Sequence, residues 1–279
     1  MTIVYQGEPG AYSEAAAQSF APEARASGRP TFRHVFDAVA QGEAERGVVP
    51  VENSVGGSIT NVLDALLEYD GVRIVGERWD RIAHALLAAE GTTLDDVREV
   101  RSHPQALAQC AASLRERLPQ AELVEAFDTA GAARQIAQEK PEGVAALASA
   151  RAAELYGLTV LAANVESERV NVTRFLLLAP EDAEAEKAEA MKTTLALTPR
   201  PGIPNALFRS LTAVVGRRLR VWKVEPRPLV GTPAAYRYLI DVEGDAEADE
   251  LAAALADMPA FNEAVRVLGS YPAGSIPGA

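Results

Sequence analysis

The chain has 279 residues, of which 48% are apolar, and it carries 39 acidic against 27 basic side chains. This length corresponds to about two domains, and the apolar content is typical of globular rather than disordered proteins. The net charge of -12 and the lack of Lys or Arg runs argue against binding to nucleic acids. The same acidic balance argues against attraction to anionic membranes.

The chain shows no sign of export or of metal binding. Residues 1–7 lack a basic segment followed by an apolar stretch, and no apolar run approaches the ~20 residues needed to span a bilayer. The single cysteine, Cys110, excludes an intrachain disulfide and suits a reducing compartment. The three histidines are not spaced as a metal cluster. We therefore expect a cytoplasmic protein without metal or cofactor.

Strands and helices alternate in the first 70 residues. The pattern predicts strand 2–6, helix 14–20, strand 32–35, helix 36–44, strand 47–51 and helix 59–69. A glycine loop at 7–10 joins the first strand to the first helix, for which Ser13 is the expected N-cap. Free backbone N–H groups in such a loop can bind an anion.

The alternation continues after a long extended segment. Residues 72–88, interrupted at Trp79, are expected to cross from one lobe to another. The elements that follow are strand 97–100, a helix from Pro104, strand 123–126, helix 129–137, strand 144–147, helix 150–156 and strand 158–162. This order predicts the α/β class, with mostly parallel sheets in two lobes around a cleft.

Polar side chains follow two of these strands. Glu52 and Asn53 end one strand, at the position where open α/β sheets bind ligands. Ser102 is expected to cap the helix that starts at Pro104, with Gln105 and Gln109 on one face of that helix. These side chains are expected to point toward one region.

The stretch 171–178 predicts a buried strand that closes the first domain, with Thr173 and Arg174 at its entry. Arg174 could bind a substrate carboxylate in bidentate fashion. Alternation in a regular strand, however, would direct Thr173 and Phe175 to one face and Arg174 to the other. Either the strand begins irregularly or Arg174 braces structure, and the sequence leaves both interpretations open.

A different pattern begins after the acidic, alanine-rich residues 181–191. It predicts strand 193–197, helix 203–215, strand 219–224, strand 236–242, helix 246–258 and strand 265–268. The order βαββαβ within about 80 residues is that of a ferredoxin-like unit. The sequence therefore predicts a second, smaller domain.

Several motifs in order carry a family resemblance. They are Gly7-Glu8-Pro9-Gly10-Ala11-Tyr12-Ser13, Val49-Pro50-Val51-Glu52-Asn53-Ser54, Ser102-His103-Pro104-Gln105-Ala106-Leu107-Ala108-Gln109-Cys110, Thr173-Arg174-Phe175, Glu225-Pro226-Arg227-Pro228 and Val267-Leu268-Gly269-Ser270-Tyr271-Pro272. Over essentially its whole length the chain resembles the monofunctional prephenate dehydratases with a C-terminal ACT regulatory domain. The resemblance implies a catalytic domain at 1–180 whose two lobes are similar to periplasmic binding proteins. Lobe 1 would be about 1–78 plus 171–180, lobe 2 about 79–170, the linker 181–191 and the ACT domain 192–272.

The resemblance also implies an activity. A lyase of this family converts prephenate to phenylpyruvate with loss of water and carbon dioxide, a step of phenylalanine biosynthesis that needs no cofactor. Phenylalanine would regulate it through the ACT domain, and ACT pairing implies a homodimer or homotetramer. Arogenate dehydratase is the alternative within the enzymes, and a non-catalytic small-molecule sensor is the alternative outside them.

Roles for individual residues follow from the resemblance. Thr173 would donate to the leaving hydroxyl, while Glu52 would orient a donor or supply a proton. Further donors are Asn53, Ser102 and Gln109. The expected substrate-binding residues are Arg174, Phe175, Ser13, Tyr12 and Gln105.

The implied effector site departs from the family pattern. The residues that match it are Asn205, Ala206, Leu207, Glu225, Arg227 and Pro228. Asn205 stands where the family has glycine, and Pro226 replaces a serine, which removes a hydroxyl and a backbone donor. These changes leave open whether phenylalanine still regulates the chain.

Overall fold

The computed structural model describes residues 1–168 and 170–277. Its strands are β1 Thr2–Gln6, β2 Arg25–Arg29, β3 Arg46–Asn53, β4 Gly57–Ser58, β5 Val72–Arg81, β6 Ala85–Ala88, β7 Glu99–Ser102, β8 Glu122–Glu125, β9 Val144–Ala148, β10 Thr159–Ala162, β11 Val172–Pro180, β12 Met191–Pro199, β13 Val221–Pro228, β14 Tyr236–Glu243 and β15 Asn262–Pro272. Its α-helices are α1 Tyr12–Phe20, α2 Phe32–Ala40, α3 Thr60–Glu68, α4 Pro104–Arg117, α5 Thr129–Glu139, α6 Ala150–Tyr156, α7 Ala206–Val215 and α8 Asp249–Asp257. Within the described ranges, no helix is both long and apolar enough to cross a bilayer.

The first sheet is completed by a strand from late in the chain. Its order is β2-β1-β3-β11-β5, with β4 paired to β3. The pairs β1–β2 and β1–β3 are parallel, whereas β11 runs antiparallel to both β3 and β5. The register places Thr173 opposite Asn53. The returning strand therefore brings the Thr173 backbone beside the end of β3.

The second sheet has the order β10-β6-β9-β7-β8 and is reached through two crossovers. Residues 82–84 lead from β5 into β6, and residues 163–171 lead from β10 back to β11. The pairs β7–β8 and β7–β9 are parallel, but β6–β9 and β10–β6 are antiparallel. Both sheets are thus mixed rather than mostly parallel, because crossover strands enter and leave each of them in the reverse direction.

The third sheet, β13-β14-β12-β15, carries α7 and α8 and is antiparallel throughout its described pairs. Its strand order and the βαββαβ connection are those of a ferredoxin-like unit. The predicted α/β class, with two lobes and a ferredoxin-like C-terminal unit, is confirmed. The exact division into domains stays a prediction.

The C-terminal unit packs on the first lobe as well as on its own helices. One core cluster joins its sheet to α7 and α8, including Leu195 and Leu251. On the other side, Leu268 and Tyr271 join the cluster that contains Ile74 of β5. A Cβ added at Gly269 would lie 2.0 Å from the carbonyl oxygen of Ile74. Glycine therefore permits a close approach of β15 to β5.

One predicted strand was wrong. Residues 32–35 form the first turn of α2, with the Thr31 side chain accepting from the backbone N–H of His34 as the N-cap. The strand at this point of the fold is β2, Arg25–Arg29, which pairs with β1 at the edge of the sheet. Its polar residues show no apolar alternation, so the sequence pattern did not reveal it.

Candidate active site

A cavity of about 520 Å³ lies between the first two sheets, next to the crossovers. It brings together seven of the ten catalytic and substrate-binding residues predicted from the sequence. Those that line it are Tyr12, Ser13, Asn53, Gln105, Gln109, Thr173 and Phe175. Glu52, Ser102 and Arg174 are not part of its wall.

Thr173 presents a hydroxyl with a defined hydrogen-bond partner. The Asn53 side-chain amide donates to Thr173 Oγ1 at 3.0 Å, and both residues are buried. Asn53 Oδ1 accepts in turn from the backbone N–H groups of Val55 at 3.0 Å and Gly56 at 2.7 Å. Because the Thr173 oxygen accepts from Asn53, its own hydrogen remains free to donate into the cavity.

Gln109 connects the second lobe to Asn53 of the first. It lies on α4, and its Nε2 donates to Asn53 Oδ1 at 3.0 Å. Its Oε1 accepts from Asn171 Nδ2 at 3.0 Å and lies 3.0 Å from Nε2 of His84. Asn171 also accepts from Asn53 Nδ2 at 2.7 Å. The amides thus form one network across the cleft.

Tyr12 extends this network through His84. The Tyr12 hydroxyl lies 2.9 Å from Nδ1 of His84 and 2.8 Å from the carbonyl oxygen of Ala83. Burial lowers the pKa of His84, so its imidazole is neutral at pH 7. Burial also raises the pKa of Tyr12 well above its usual value, so the phenol keeps its proton.

The remaining predicted residues of the cavity form its walls. Phe175 is fully buried and packs in the cluster that holds Ile3 and Tyr5. A Cβ at Gly56 would lie 1.8 Å from Nε2 of Gln105, so glycine lets Gln105 of the second lobe approach the first. Ser13 lines the cavity from inside α1, but the helix starts at Tyr12, so Ser13 is not its N-cap as expected.

Ser102 does not take the position expected from the sequence. It is fully buried at the end of β7, and its hydroxyl donates to the carbonyl oxygen of Leu147 at 2.5 Å. The cap of α4 is His103, whose side chain accepts from the backbone N–H of Gln105. Ser102 therefore ties β7 to its neighbouring strand β9. This geometry corrects its expected roles as a helix cap and as a donor in the cleft.

Arg174 and Glu52 face away from the cavity. The Arg174 guanidinium bonds Glu77 at 2.6 Å, Tyr271 at 3.0 Å and also Asp241. Glu52 bonds Lys223 of β13 and lies 3.7 Å from Arg174. The expectation that Arg174 binds a substrate carboxylate is therefore corrected. Glu52, on the same face as Arg174, does not line the cavity and pairs with Lys223, which corrects the expectation that it delivers a proton there.

The strand geometry explains this division. On β11, Thr173 and Phe175 point into the cavity while Arg174 points to the C-terminal unit, as regular alternation requires. The irregularity lies in β3, where the register shifts so that Arg174 pairs with Glu52 and Phe175 with Pro50. Proline has no N–H for the ladder, which suits a position beside a bulge.

The cavity combines an apolar wall with positive helix ends. Among the described residues that line it, none is Lys or Arg. Helices α1, α2, α4 and α5 instead begin at its wall, with Tyr12, Phe32, Gln105 and Thr129 near their first turns. Unpaired N–H groups and the helix dipole make such ends favourable to anions. The cavity is therefore suited to a small, partly apolar anion.

Several lining or supporting residues escaped the sequence predictions, and three of them are His84, Asn171 and Phe127. His84 and Asn171 lie on the two crossovers, outside any helix or strand, so no periodic pattern marked them. Asn171 is the first residue of the singled-out stretch 171–178, but no role was predicted for it. Phe127 lines the cavity yet is 73% exposed, and it precedes Asp128, the cap of α5. The signal available in the sequence was an aromatic residue just before the predicted helix 129–137.

The predicted effector residues divide between two places. Asn205 precedes α7 with φ at 57°, a left-handed conformation that asparagine tolerates better than most other non-glycine residues, which explains how it can stand for glycine. Glu225 accepts from the hydroxyl of Ser58 at 2.6 Å. Arg227 bonds Asp64 of α3 at 2.7 and 2.8 Å. The Glu225–Pro228 segment thus lies against the first lobe, while Asn205, Ala206 and Leu207 start α7.

Comparison with known proteins identifies the family. The prephenate dehydratase family model matches residues 3–183. An arogenate dehydratase/prephenate dehydratase 2 of Arabidopsis thaliana, described as chloroplastic, is 41% identical over 97% of this chain and 72% of its own length. A bifunctional N-acyl-homoserine lactone acylase/prephenate dehydratase of Komagataeibacter europaeus is 37% identical over 97% of this chain and 95% of its own.

A solved structure agrees with these relatives. The prephenate dehydratase of Arthrobacter aurescens, in complex with L-Phe, is 32% identical and superposes with a TM-score of 0.90. The match covers 98% of this chain and 90% of that one. Both the family model and the relatives extend over more than half of the chain. The chain belongs to the prephenate dehydratase family.

Proposed function

We propose that this chain converts prephenate to phenylpyruvate in phenylalanine biosynthesis, with the cavity between the first two sheets as its active site. The observation that carries the proposal is the Thr173 hydroxyl, which accepts from Asn53 and has its own hydrogen free toward the cavity. Its family relatives, which include named prephenate and arogenate dehydratases, support the assignment.

The reaction requires a hydrogen-bond donor at one atom, the oxygen of the ring hydroxyl that leaves. The bond from the ring to its carboxylate breaks, its electron pair enters the ring, and the ring hydroxyl leaves with a proton as water. Negative charge therefore develops on the departing oxygen, and a hydrogen bond placed there stabilises the transition state more than the ground state. Thr173 is the proposed donor. It is too weak an acid to transfer a proton unaided, so solvent would supply the proton.

The walls suit the rest of the substrate. Phe175 and Ile82 offer an apolar surface for the ring. The helix ends at Tyr12 and Thr129 offer backbone N–H groups for a carboxylate. A guanidinium beside the ring carboxylate would stabilise the ground state and oppose decarboxylation. The placement of Arg174 outside the cavity is consistent with that requirement.

The substrate test is a direct comparison. Purified protein is given prephenate, arogenate or an N-acyl-homoserine lactone, and phenylpyruvate, phenylalanine or released acid is measured. Prephenate turnover well above the uncatalysed rate is the expected result. A protein that turns over only arogenate would be an arogenate dehydratase. Binding of these compounds without turnover would favour the sensor alternative and overturn the proposed reaction.

We also infer that the C-terminal unit is an ACT domain that responds to L-phenylalanine. The L-Phe complex of the Arthrobacter aurescens protein supports this inference. Pro226 lies on β13, an edge strand of its sheet, where a missing N–H is tolerated. The tests are phenylalanine titration of activity up to millimolar concentration and sedimentation with and without it. No change in activity would contradict the inference, and a monomer would contradict the expected homodimer or homotetramer.

We also propose a cellular compartment for the protein. A cytoplasmic protein is expected from the sequence, whereas the Arabidopsis thaliana relative is described as chloroplastic. Fractionation of the source cells, with the protein detected by antibody, would distinguish the two compartments.

A further inference from the structure

The two crossovers each contribute one polar side chain to the amide network. His84 ends the first crossover, and Asn171 ends the second, directly before β11. The crossovers also bond near these residues: the backbone N–H of Ile82 donates to the carbonyl oxygen of Asn171 at 2.8 Å, and that of Val165 donates to the carbonyl oxygen of His84 at 3.0 Å. Both side chains are therefore held in place by the chain that joins the lobes.

The direction of the network is set by two backbone groups. The N–H groups of Val55 and Gly56 can only donate, so the Asn53 atom that faces them must be its oxygen. Asn53 Nδ2 consequently faces Thr173 Oγ1. Since Asn53 Oδ1 also faces Gln109, the Gln109 atom at that contact must be its nitrogen.

The same reasoning extends outward to His84 and Asn171. With its nitrogen directed at Asn53, Gln109 presents its oxygen to both residues. His84 must then carry its proton on Nε2, and Asn171 must turn its nitrogen toward Gln109. Asn171 Oδ1 is left to accept from Asn53 Nδ2. The contacts among Asn53, Thr173, Gln109 and Asn171 all agree with this single direction. The one hydrogen of the Tyr12 phenol, which lies near both Ala83 O and His84 Nδ1, then donates to Nδ1.

We propose that His84 and Asn171 are positioning residues that hold the Gln109 carbonyl and thereby keep Thr173 as the donor to the substrate. The proposal rests on the proposed function, because it assumes that Thr173 donates to the leaving hydroxyl. If the side-chain amide of Gln109 rotated by half a turn, its oxygen would face Asn53 Oδ1, which the backbone N–H groups hold in place. The Asn53 amide would then be free to shift, and the Thr173 hydrogen would lose its direction.

Charged groups next to the network come from the crossovers and β5. Glu166 accepts from the backbone N–H of His84 at 3.0 Å, and Arg81 lies 3.7 Å from its carboxylate. The Tyr12 phenol lies on the other side of His84. Neither charged side chain bonds Asn171, so a charge introduced at that position would meet the Gln109 oxygen directly.

The test is Asn171→Asp, which keeps the shape of the side chain. Its first oxygen still accepts from Asn53, but its second faces the Gln109 oxygen, a contact of 3.0 Å in the natural protein. We expect kcat on prephenate to fall by about tenfold or more near neutral pH, with KM changed much less. Protonation of the carboxyl restores a donor, so the ratio of variant to natural kcat should rise as pH is lowered.

A ratio that stays flat with pH, or a loss confined to KM, would overturn the proposal even if the natural protein turns over prephenate. Absence of turnover by the natural protein would instead overturn the proposed function. If Asn171→Asp does not fold, His84 supplies the second pair of variants. His84→Gln keeps an N–H for Gln109 and should retain more kcat than His84→Leu, and equal losses in the two would refute the proposal.

Discussion

Thr173 and Arg174 are consecutive residues of β11 whose side chains serve opposite faces of the first sheet. The Thr173 hydroxyl accepts from Asn53 at the cavity, and the Arg174 guanidinium bonds Asp241 and Tyr271 of the C-terminal unit. One strand therefore connects the proposed chemistry to the proposed regulatory unit, and the two roles can be tested separately.

Thr173→Val should abolish most turnover while leaving the fold intact. Valine keeps the branched shape but removes the hydroxyl that would donate to the departing oxygen. We expect a loss of about 10²-fold or more in kcat on prephenate, with a small change in KM. Thr173→Ser is the matched control, because it keeps a hydroxyl and should retain substantially more activity. Near-natural turnover by Thr173→Val would show that another group donates.

Arg174→Leu should destabilise the protein. Removing the guanidinium leaves the buried carboxylates of Glu77 and Asp241 with one cation fewer, although Lys192 still lies 2.5 Å from Glu77. The expected loss in the free energy of unfolding is about 3–5 kcal/mol, measured with denaturant. Arg33→Ala is the control, because it removes an exposed ion pair with Glu68 and should leave the midpoint of denaturant unfolding nearly unchanged. Equal midpoints for the two variants would contradict this account.

Gly269→Ala should disturb the contact between the C-terminal unit and the first lobe. The new Cβ would lie 2.0 Å from the carbonyl oxygen of Ile74, so one of the two strands must move. Overpacking of this kind costs about 1–3 kcal/mol or more in the free energy of unfolding. Gly71→Ala is the control, since its Cβ would meet Ala40 at an ordinary 3.8 Å. A lowered melting temperature is expected for Gly269→Ala alone.

His84 should make the protein less stable in mild acid. Burial lowers its pKa below the ordinary value of about 6.5. Above about pH 6.5 the His84 imidazole is neutral in both the folded and the unfolded chain, so its titration takes nothing from the free energy of unfolding. As pH falls from about 6.5 toward the folded pKa, only the unfolded chain takes up a proton, so stability decreases.

The measurement is the free energy of unfolding between about pH 7.5 and 5.5 for the natural protein and for His84→Gln. As pH falls below about 6.5, the free energy of unfolding of the natural protein should decrease by up to about 1.4 kcal/mol per pH unit more than that of His84→Gln. His34→Gln, at an exposed position, provides the matched loss of an imidazole. Parallel curves for the natural protein and His84→Gln would show that His84 does not contribute.

Local patterns were sufficient for the elements with strong signals. Helices 59–69, 129–137 and 150–156 were predicted, and each forms within two residues of the predicted ends, as α3, α5 and α6. The polar edge strand β2 was missed, because its pairing with β1 depends on the sheet and not on its own apolar content. Residues 32–35 were predicted as a strand because four residues alone do not distinguish the period of a strand from that of a helix.

The sequence by itself determined the family, the α/β class, the βαββαβ order and the alternation along β11 that separates Thr173 from Arg174. These properties depend on residue order and on the period of a strand. Only the tertiary structure decided what each side chain meets. Arg174 donates hydrogen bonds to Glu77, Asp241 and Tyr271, and Ser102 donates a hydrogen bond to Leu147 of the neighbouring strand β9. His84 and Asn171 entered the site because the crossovers bring distant segments together, and such hydrogen-bond partners have no local signature.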